Sequence, residues 1–451
     1  MKISEIVKVT RGKLLSGDPD TDVDLSRVST DSRTVGRGSL FIALKGPNFD
    51  GGKFVAESLA KGAIGAIAAS GEAAGTKIFI KVKDATEAFG RIAAAHRNKF
   101  KIPVIGITGS NGKTTVKDLA AAILSGKYNV LKNEGTDNNH IGVPKTLLKL
   151  NKSHKVCVLE LGTNHPGEIK KLCEIASPTT VVITNIGPSH IEFFGDLEGV
   201  YRAKIEILSS PKRPKSTVII NGDDRYLKRI RAGGRRLIKF GFDEENDYRA
   251  SIIGSDNDKV SFSVNSDRIF VSRLLGTHNV YNALCAIAIG RSLGLPYPAI
   301  IKAAAYFKPT RMRLDIGKIR GIDVINDAYN SNPQSMSAAL EVLENYPARS
   351  KWVVSGDMFE LGDKAEYFHR MIGVLVAKSG ADGLLTIGKL SKFTSAEAYA
   401  SGMRKETLWH CPDHAAASKI LGKVAKPGDL ILIKGSRGMR MEKVLERFKE
   451  R

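Results

Sequence analysis

The stretch Val104-Ile105-Gly106-Ile107-Thr108-Gly109-Ser110-Asn111-Gly112-Lys113-Thr114-Thr115 constrains this chain more than any other. An apolar run passes through two glycines into a segment whose Val116, Leu119, Ala120, Ile123 and Leu124 share one helical face, which predicts a buried strand, a bend and a helix. That order of elements makes an anion cradle. The glycines let the backbone turn its N–H groups inward, and a helix beginning at Lys113 offers its positive dipole end. Gly109, Ser110, Asn111, Gly112, Lys113, Thr114 and Thr115 are then candidate contacts to a nucleoside triphosphate, with Lys113 on the outer phosphates and the Thr114 hydroxyl on Mg²⁺. The commoner phosphate-loop pattern has a glycine five positions before Gly112, where this chain has Ile107, so the form here is the shorter T-G-x-x-G-K-T-T. A plain glycine turn between strand and helix is the alternative reading at this point.

A length of 451 residues predicts two to four domains. Hydrophobic residues at 42% and charged residues at 26% fit a water-soluble globular chain, with no apolar run long enough to span a bilayer. The start, Met1-Lys2-Ile3-Ser4-Glu5-Ile6-Val7-Lys8, breaks any signal-like apolar core with charges, so a cytoplasmic location without membrane insertion is expected. Cys157, Cys173, Cys285 and Cys411 lack the C-x-x-C spacing of a zinc site, and Cys157 and Cys285 sit in apolar runs as expected buried thiols. The formal charge of +22 favours polyanionic partners. Its densest basic stretch, Arg225 to Lys239, has no run of interleaved aromatics and no nucleic-acid motif, so a solvated basic face that attracts anionic small molecules is expected and a nucleic-acid partner is not.

The fold class read from the pattern is α/β in three domains. Residues 1–98 form a small α/β unit, with strands near Leu40, Ile67 and Ile78 and two polar clusters, Ser29-Thr30-Asp31-Ser32-Arg33 and Gly46 to Gly52. Such clusters ordinarily turn the chain, although a serine, a threonine and an arginine beside a strand end also suit a diphosphate. Residues 99–309 alternate strand and helix as a mostly parallel sheet, with strands at Val156–Gly162, Thr180–Ile186 and Thr217–Asn221 and antiparallel hairpins between Tyr248 and Leu275. Residues 310–451 resume the alternation with strands at 353–356, 383–387 and 429–434, a Rossmann-like unit.

Ligands of parallel sheets bind beyond the carboxyl ends of the strands. That rule selects Glu160, the loop Asn185 to His190, and Asn221-Gly222-Asp223-Asp224. Glu160 ends an apolar strand, where a carboxylate either meets a cation or is solvated at the rim. His190 alone fits a surface or core histidine as well as a ligand, and Lys204 by spacing alone reads as an exposed lysine on its helix.

The motifs TGSNGKTTVKDL at 108–119, NNHIGVPKTLL at 138–148, ELG at 160–162, TNIGPSHIEFFG at 184–195, AKIEIL at 203–208, GTHNVYNALCAIAIG at 276–290 and INDAYNSNPQSM at 325–336 together resemble the Mur ligases of peptidoglycan synthesis. STDSR at 29–33 and DGGKF at 50–54 extend the likeness over nearly the whole chain. The forms NDAYN-x-NP, GDM-x-ELG at 356–362 and KGSRGMRME at 434–442 are similar to the members that add D-alanyl-D-alanine.

The resemblance implies an ATP-dependent amide ligase that joins D-Ala-D-Ala to UDP-MurNAc-tripeptide, acting as a monomer. Its three domains would take the UDP end of the substrate, ATP, and the incoming dipeptide. The family's metal ligands fall on Thr114, Glu160 and His190, and its carbamylated lysine on Lys204, which would let the site hold two Mg²⁺ ions. Lys113, Glu160, His190 and Lys204 are the implied catalytic residues. Asn282 falls on the adenine-reading asparagine, and Arg313, Asp327 and Asn330 on residues that close on ATP. Ser29, Asp31, Ser32 and Arg33 fall where the uridine nucleotide is held, and Asn138 and Asn139 near the muramyl peptide. The chain departs from many relatives at Asn133 and Thr136, on either side of Gly135. Two ligase alternatives stay open, a Mur ligase adding the third amino acid and a folylpolyglutamate synthetase. The alternative from another class is a P-loop ATPase that binds nucleic acid.

Overall fold

The computed structural model describes residues 1–46, 49–70, 77–210, 216–256, 258–308 and 310–450. Pro47 and Asn48 of the second polar cluster, and Pro309 at the expected end of the second domain, lie outside the described residues. Strands and helices alternate through most of the chain, the α/β class expected. Backbone contacts divide it into two compact units, one of Met1–Thr108, Lys127–Val181 and Glu206–Thr217, the other of Gly109–Gly126, Val182–Ile205 and Val218–Arg451.

The first unit contains a five-stranded sheet in the order Lys13–Ser16, Ile78–Lys81, Gly65–Ala68, Leu40–Ile42, Val28–Ser29. Only the first pair is antiparallel. Its inner strands are short and apolar on both faces because parallel strands are covered on both sides by their crossover segments. Phe41, Leu59, Ala66 and Phe79 pack together in one core. In the same unit Val156–Glu160 runs parallel to both Val104–Thr108 and Val130–Lys132, with Glu160 opposite Ile107. That register sets Glu160 at the carboxyl end of its strand, as the apolar run implied.

In the second unit, helix Lys113–Ser125 follows the glycine loop, and helix Thr277–Ser292 is buried on nearly every side. Strands Tyr248–Ser255, Val260–Val264 and Arg268–Ser272 form the expected antiparallel meander. A six-stranded sheet takes the order Asp315–Ile319, Ile322–Asp327, Leu430–Lys434, Lys351–Gly356, Gly383–Ile387, Leu408–Cys411. All but its first pair are parallel. Successive residues point to opposite faces. Ile325, Val353, Leu384 and Leu432 therefore enter one core, while Val324, Val354, Leu385 and Ile433 enter the other.

Two strands end sooner than their composition suggests, and the one expected to reach Gly162 stops at Glu160. The run expected to continue to Ile186 stops at Ile183, because Thr184 and Asn185 leave the ladder to bind the nucleotide loop. The amino-terminal helix Ile3–Thr10, the edge strand Asp315–Ile319 and the strand Leu408–Cys411 were not expected from the pattern. All four cysteines are buried free thiols, and burial pushes Cys157 up to about 12. Among the described residues no helix is long and apolar enough to cross a membrane.

Candidate active site

The glycine loop is held from outside. Gly109 and Gly112 have φ of 142° and 81°, conformations that favour glycine. A β-carbon would stand 2.0 Å from Thr184 Oγ1 at Gly109 and 2.1 Å from Asn282 Oδ1 at Gly112, so both the bend and the packing exclude a side chain. Asn282 thus sits against the second loop glycine, while its Nδ2 donates to Asn279 at 2.9 Å.

Ser110 is the loop's anchor. Its N–H donates to the Asn185 carbonyl at 2.9 Å, its hydroxyl to the Gly187 carbonyl at 2.9 Å, and it accepts from the Gly187 N–H and the Ser189 hydroxyl at 2.9 and 3.0 Å. The Asn111 N–H donates to Asn185 Oδ1 at 3.0 Å. The expectation that the loop's N–H groups all turn inward is therefore corrected for Ser110 and Asn111, whose amides fasten the loop to the 184–189 segment. Phosphate-binding geometry stays with the start of helix Lys113–Ser125, which carries the positive end of the helix dipole. Lys113 Nζ folds onto the Gly109 and Ser110 carbonyls at 2.8 and 3.0 Å.

A second layer comes from residues 310–334. Thr114 and Asp118, four apart on one helical face, accept from Arg313 Nη2 at 3.0 Å and from the Thr310 hydroxyl at 3.1 Å. Arg313 also lies 4.1 Å over the Tyr329 ring. Its neighbours Met312 and Leu314 are both left-handed, at φ 60° and 48°. That turn is tied by the Leu314 N–H to Asp327 Oδ1 at 3.0 Å, and the other Asp327 oxygen pairs with the buried Lys434. Asp327 thereby braces the turn that carries Arg313 and pairs with Lys434. Asn330 accepts from Lys434 through its carbonyl and from the Arg437 N–H through its side chain. The Asn111 amide clasps Asn332 Nδ2 and Gln334 Oε1, each at 2.8 Å.

His190 precedes the short helix Ile191–Phe194 at φ 55°, and its Nδ1 lies 2.6 Å from Glu360 Oε2. Lys204 is fully buried, with Nζ 6.0 Å from the centre of the Phe194 ring. The reading of Lys204 as an exposed lysine is overturned, and a lysine is rarely buried without a partner that compensates its charge.

In the first unit, Glu160 is buried and its Oε1 accepts from Asn138 Nδ2 at 2.8 Å. Asn133 brackets the Glu160 backbone, its Oδ1 taking the Glu160 N–H at 2.9 Å and its Nδ2 reaching the Glu160 carbonyl at 3.2 Å. The departure at Asn133 therefore braces the carboxylate's strand. Asn139 Oδ1 accepts from the Ile141 and Gly142 N–H groups and so starts helix Gly142–Leu147. The cluster at 29–33 is a local turn. Arg33 grips Asp31 through Nε and Nη2 at 2.9 and 2.7 Å, and Ser29 Oγ contacts the Asp31 carbonyl and Thr34. Hydrogen bonds from the Arg33 side chain and N–H hold the exposed Asp31 carboxyl at about 2. The Ser32 carbonyl accepts from Lys61 at 3.1 Å.

Comparison with known proteins agrees with this layout. Residues 24–97 match the family model of the Mur ligase family catalytic domain, 107–290 the Mur ligase middle domain, and 310–437 the Mur ligase glutamate ligase domain. The UDP-N-acetylmuramoyl-tripeptide--D-alanyl-D-alanine ligase of Bacillus subtilis is 35% identical over 98% of this chain and 97% of its own length. The chain belongs to the Mur ligase family. The crystal structure of MurF from Acinetobacter baumannii superposes on this Mur ligase with a TM-score of 0.91 at 30% identity, covering 100% of this chain and 99% of that one. MurF from Thermotoga maritima, solved in complex with ADP, does so with a TM-score of 0.86 at 28% identity, over 95% of this chain and 99% of that one.

Several groups around this Mur ligase's loop escaped the sequence reading. Thr310 lies outside the quoted motifs, and Asp118, Asn332, Gln334, Lys434 and Glu360 lie inside them without any role having been assigned. The usable signal was a polar side chain placed immediately beyond an apolar strand, as with Lys434 at the end of Leu430–Lys434. Asp223 and Asp224, selected by the strand-end rule, are structural. Asp223 accepts from the Phe242 N–H, Asn246 and Tyr281, while Asp224 Oδ2 takes the Ile186 N–H at 2.7 Å. Among the described residues no three or more His, Cys, Asp or Glu gather as a metal cage. The Thr114 hydroxyl and the Glu160 carboxylate are hard oxygen donors of the kind Mg²⁺ takes, since that ion is ordinarily held by one or two carboxylates together with substrate phosphates and water.

Proposed function

We propose that this Mur ligase uses ATP to join D-alanyl-D-alanine to the terminal carboxylate of UDP-N-acetylmuramoyl-tripeptide. The observation that carries the reading is likeness over nearly the full length to UDP-N-acetylmuramoyl-tripeptide--D-alanyl-D-alanine ligases, which spans the nucleotide loop and the carboxyl-terminal sheet alike. We also propose a three-part division of labour. Residues 1–98 hold the uridine nucleotide through Ser29, Asp31, Ser32 and Arg33, residues 99–309 hold ATP, and residues 310–451 hold the dipeptide.

A carboxylate is a poor acyl donor, so the γ-phosphoryl group first moves to it. The acyl phosphate is then attacked by the dipeptide amine, which forms the amide and releases phosphate. Phosphoryl transfer needs alignment and charge neutralisation more than acid–base chemistry. Lys113, now resting on its own loop carbonyls, swings to the outer phosphates, while Gly109 to Thr115 frame them. Arg313 leaves Thr114 for the nucleotide, with Asp327 and Asn330 holding its turn and Asn282 reading the base. Asn138 and Asn139 orient the acceptor peptide near Glu160. Thr114, Glu160, His190 and Lys204 as its carbamate would hold Mg²⁺, as two ions, which supplies neutralisation of charge on the transferred phosphoryl group. The 310–334 layer keeps water from the acyl phosphate.

The reading includes a cytoplasmic monomer with no nucleic-acid partner. In the basic stretch, Arg229 pairs with Glu198 at 2.6 Å and Lys228 with Asp243 at 2.9 Å, as befits a solvated face. Phosphate release from ATP with UDP-MurNAc-tripeptide and a panel of amines tests the assignment. Turnover is expected with D-Ala-D-Ala, and turnover with a single amino acid in its place would overturn it. Lys204→Ala is expected to regain part of its activity with added short-chain carboxylic acids. Full activity without them would remove the carbamate.

A further inference from the structure

His190 and Glu360 are both non-glycine residues in the left-handed region, at φ 55° and 61°. A residue with a β-carbon is strained in that region and persists there only where its surroundings over-determine it. Here the two meet. Glu360 Oε2 stands 2.6 Å from His190 Nδ1, and the Glu360 carbonyl accepts the Glu192 N–H at 3.1 Å. Two residues on, Gly362 has φ 54° and packs so closely that a β-carbon would stand 3.3 Å from Glu192 Cα.

The turn that delivers Glu360 is anchored at consecutive residues. Asp357 Oδ1 takes the Leu390 and Ser391 N–H groups at 3.0 and 2.7 Å. The Met358 N–H donates to His369 Nε2 at 3.0 Å, and the Phe359 N–H donates to Ser436 Oγ at 2.8 Å. The carboxylate is therefore presented from a fixed base. The imidazole contact is short without being aligned as a hydrogen bond. Polar contacts of this kind often tighten only when ligands are bound.

We infer that Glu360 is a positioning residue for His190. Its carboxylate keeps the proton on Nδ1, leaving Nε2 with the lone pair that faces a divalent cation. Because Glu360 lies on the GDM-x-ELG turn of the carboxyl-terminal sheet, the histidine is aimed only while that turn is seated on residues 190–192. The inference rests on the proposal that His190 is a metal ligand, and its test separates the two.

The full-length enzyme and its Glu360→Ala, Glu360→Gln and His190→Ala variants would be titrated with Mn²⁺ in the presence of ADP, reading bound Mn²⁺ by electron paramagnetic resonance. Loss of a carboxylate behind a ligating histidine typically weakens metal binding about 10–100-fold. Glu360→Ala is expected to show that shift. Glu360→Gln, whose amide oxygen still accepts from Nδ1, is expected to recover most of it, with kcat lowered more than the KM for the dipeptide is raised. Glu360→Ala with Mn²⁺ affinity within twofold of the parent, while His190→Ala weakens it, would overturn the inference and leave the ligand reading standing. Unchanged affinity in His190→Ala would overturn both. A purely structural ion pair would lower the thermal midpoint in Glu360→Ala without moving the Mn²⁺ titration, which again overturns the inference.

Discussion

The nucleotide loop at Gly109–Thr115 and the cluster at Ser29–Arg33 are both short polar turns beside strand ends, both assigned to phosphate, and they are built in opposite ways. Ser110 is buried and bonds to Gly187 and Ser189, 77 and 79 residues away in sequence. Ser29 bonds to the Asp31 carbonyl and Thr34, two and five residues away. The loop's side chains are held by distant parts of the fold, whereas the side chains of Ser29, Asp31 and Arg33 are held by one another and by Thr34. Damage to the first should spread into stability, and damage to the second should stay in binding.

The largest effect expected is on chemistry at the loop. Lys113→Ala should lower kcat by about a thousandfold, since it removes a preorganised cation from the charge that develops on the transferred group. Thermal unfolding should hardly change, because the half-buried Lys113 side chain folds back onto the Gly109 and Ser110 carbonyls of its own loop. Steady-state phosphate release beside calorimetry checks both halves, and unchanged turnover would take the loop out of the mechanism.

The same substitution at two serines tests the comparison directly. Ser110→Ala leaves the buried Gly187 N–H without its acceptor and should cost about 1–3 kcal/mol. Ser29→Ala, in a half-exposed local turn, should stay within about 0.5 kcal/mol and act instead on the KM for the uridine substrate. Urea unfolding of both variants decides it. Equal losses of stability would mean that the cluster, too, is set by the fold.

Much of this construction was legible in the sequence, for reasons that particular residues make plain. The strand, glycine bend and amphipathic helix around Lys113 announce themselves through local periodicity. Glu160 does so through its place at the end of an apolar run. Lys204 was illegible by spacing, since nothing in its helix says that it is buried with Phe194 beside its Nζ. Glu360 and Gln334 depend on contacts more than a hundred residues away, 170 for Glu360 with His190, which follows from 360 − 190, and 223 for Gln334 with Asn111. The resemblance to Mur ligases supplied roles for motif residues and none for the side chains that hold them in place.

The turn carrying Glu360 sharpens the contrast through pH. His369 is buried, donates from Nδ1 to the Ala365 carbonyl at 2.7 Å and accepts the Met358 N–H at Nε2. Burial holds its pKa below the ordinary histidine value, against the opposing pull of the Ala365 bond and Asp357. A lowered folded pKa means that the unfolded chain takes up the proton first. Stability is thus complete above about 6.5 and declines as pH falls from there toward the folded value. His369→Gln should flatten that part of the stability–pH curve, as read by thermal unfolding between pH 8 and pH 5 at about 0.1 M salt. An unchanged slope would show that the turn is not held through this histidine.

The smallest effect expected belongs to the exposed ion pair. The Arg33 hydrogen bonds hold Asp31 at about 2, below its unfolded value near 4, so any stability it contributes is present at neutral pH and is lost as pH falls from about 4 to about 2. Because the Arg33 side chain is 84% exposed, solvent and salt screen the pair, and Asp31→Asn should leave the urea midpoint at pH 7 within error. Its effect should appear in substrate binding, where Arg33 loses the partner that pre-sets its fork for a diphosphate. The KM for the uridine substrate should rise severalfold with kcat unchanged, and the difference from the parent should shrink as salt is raised. A midpoint that falls as far for Asp31→Asn as for Ser110→Ala would contradict the local construction of the cluster. A salt-independent KM would instead place the role of Asp31 in the shape of the turn.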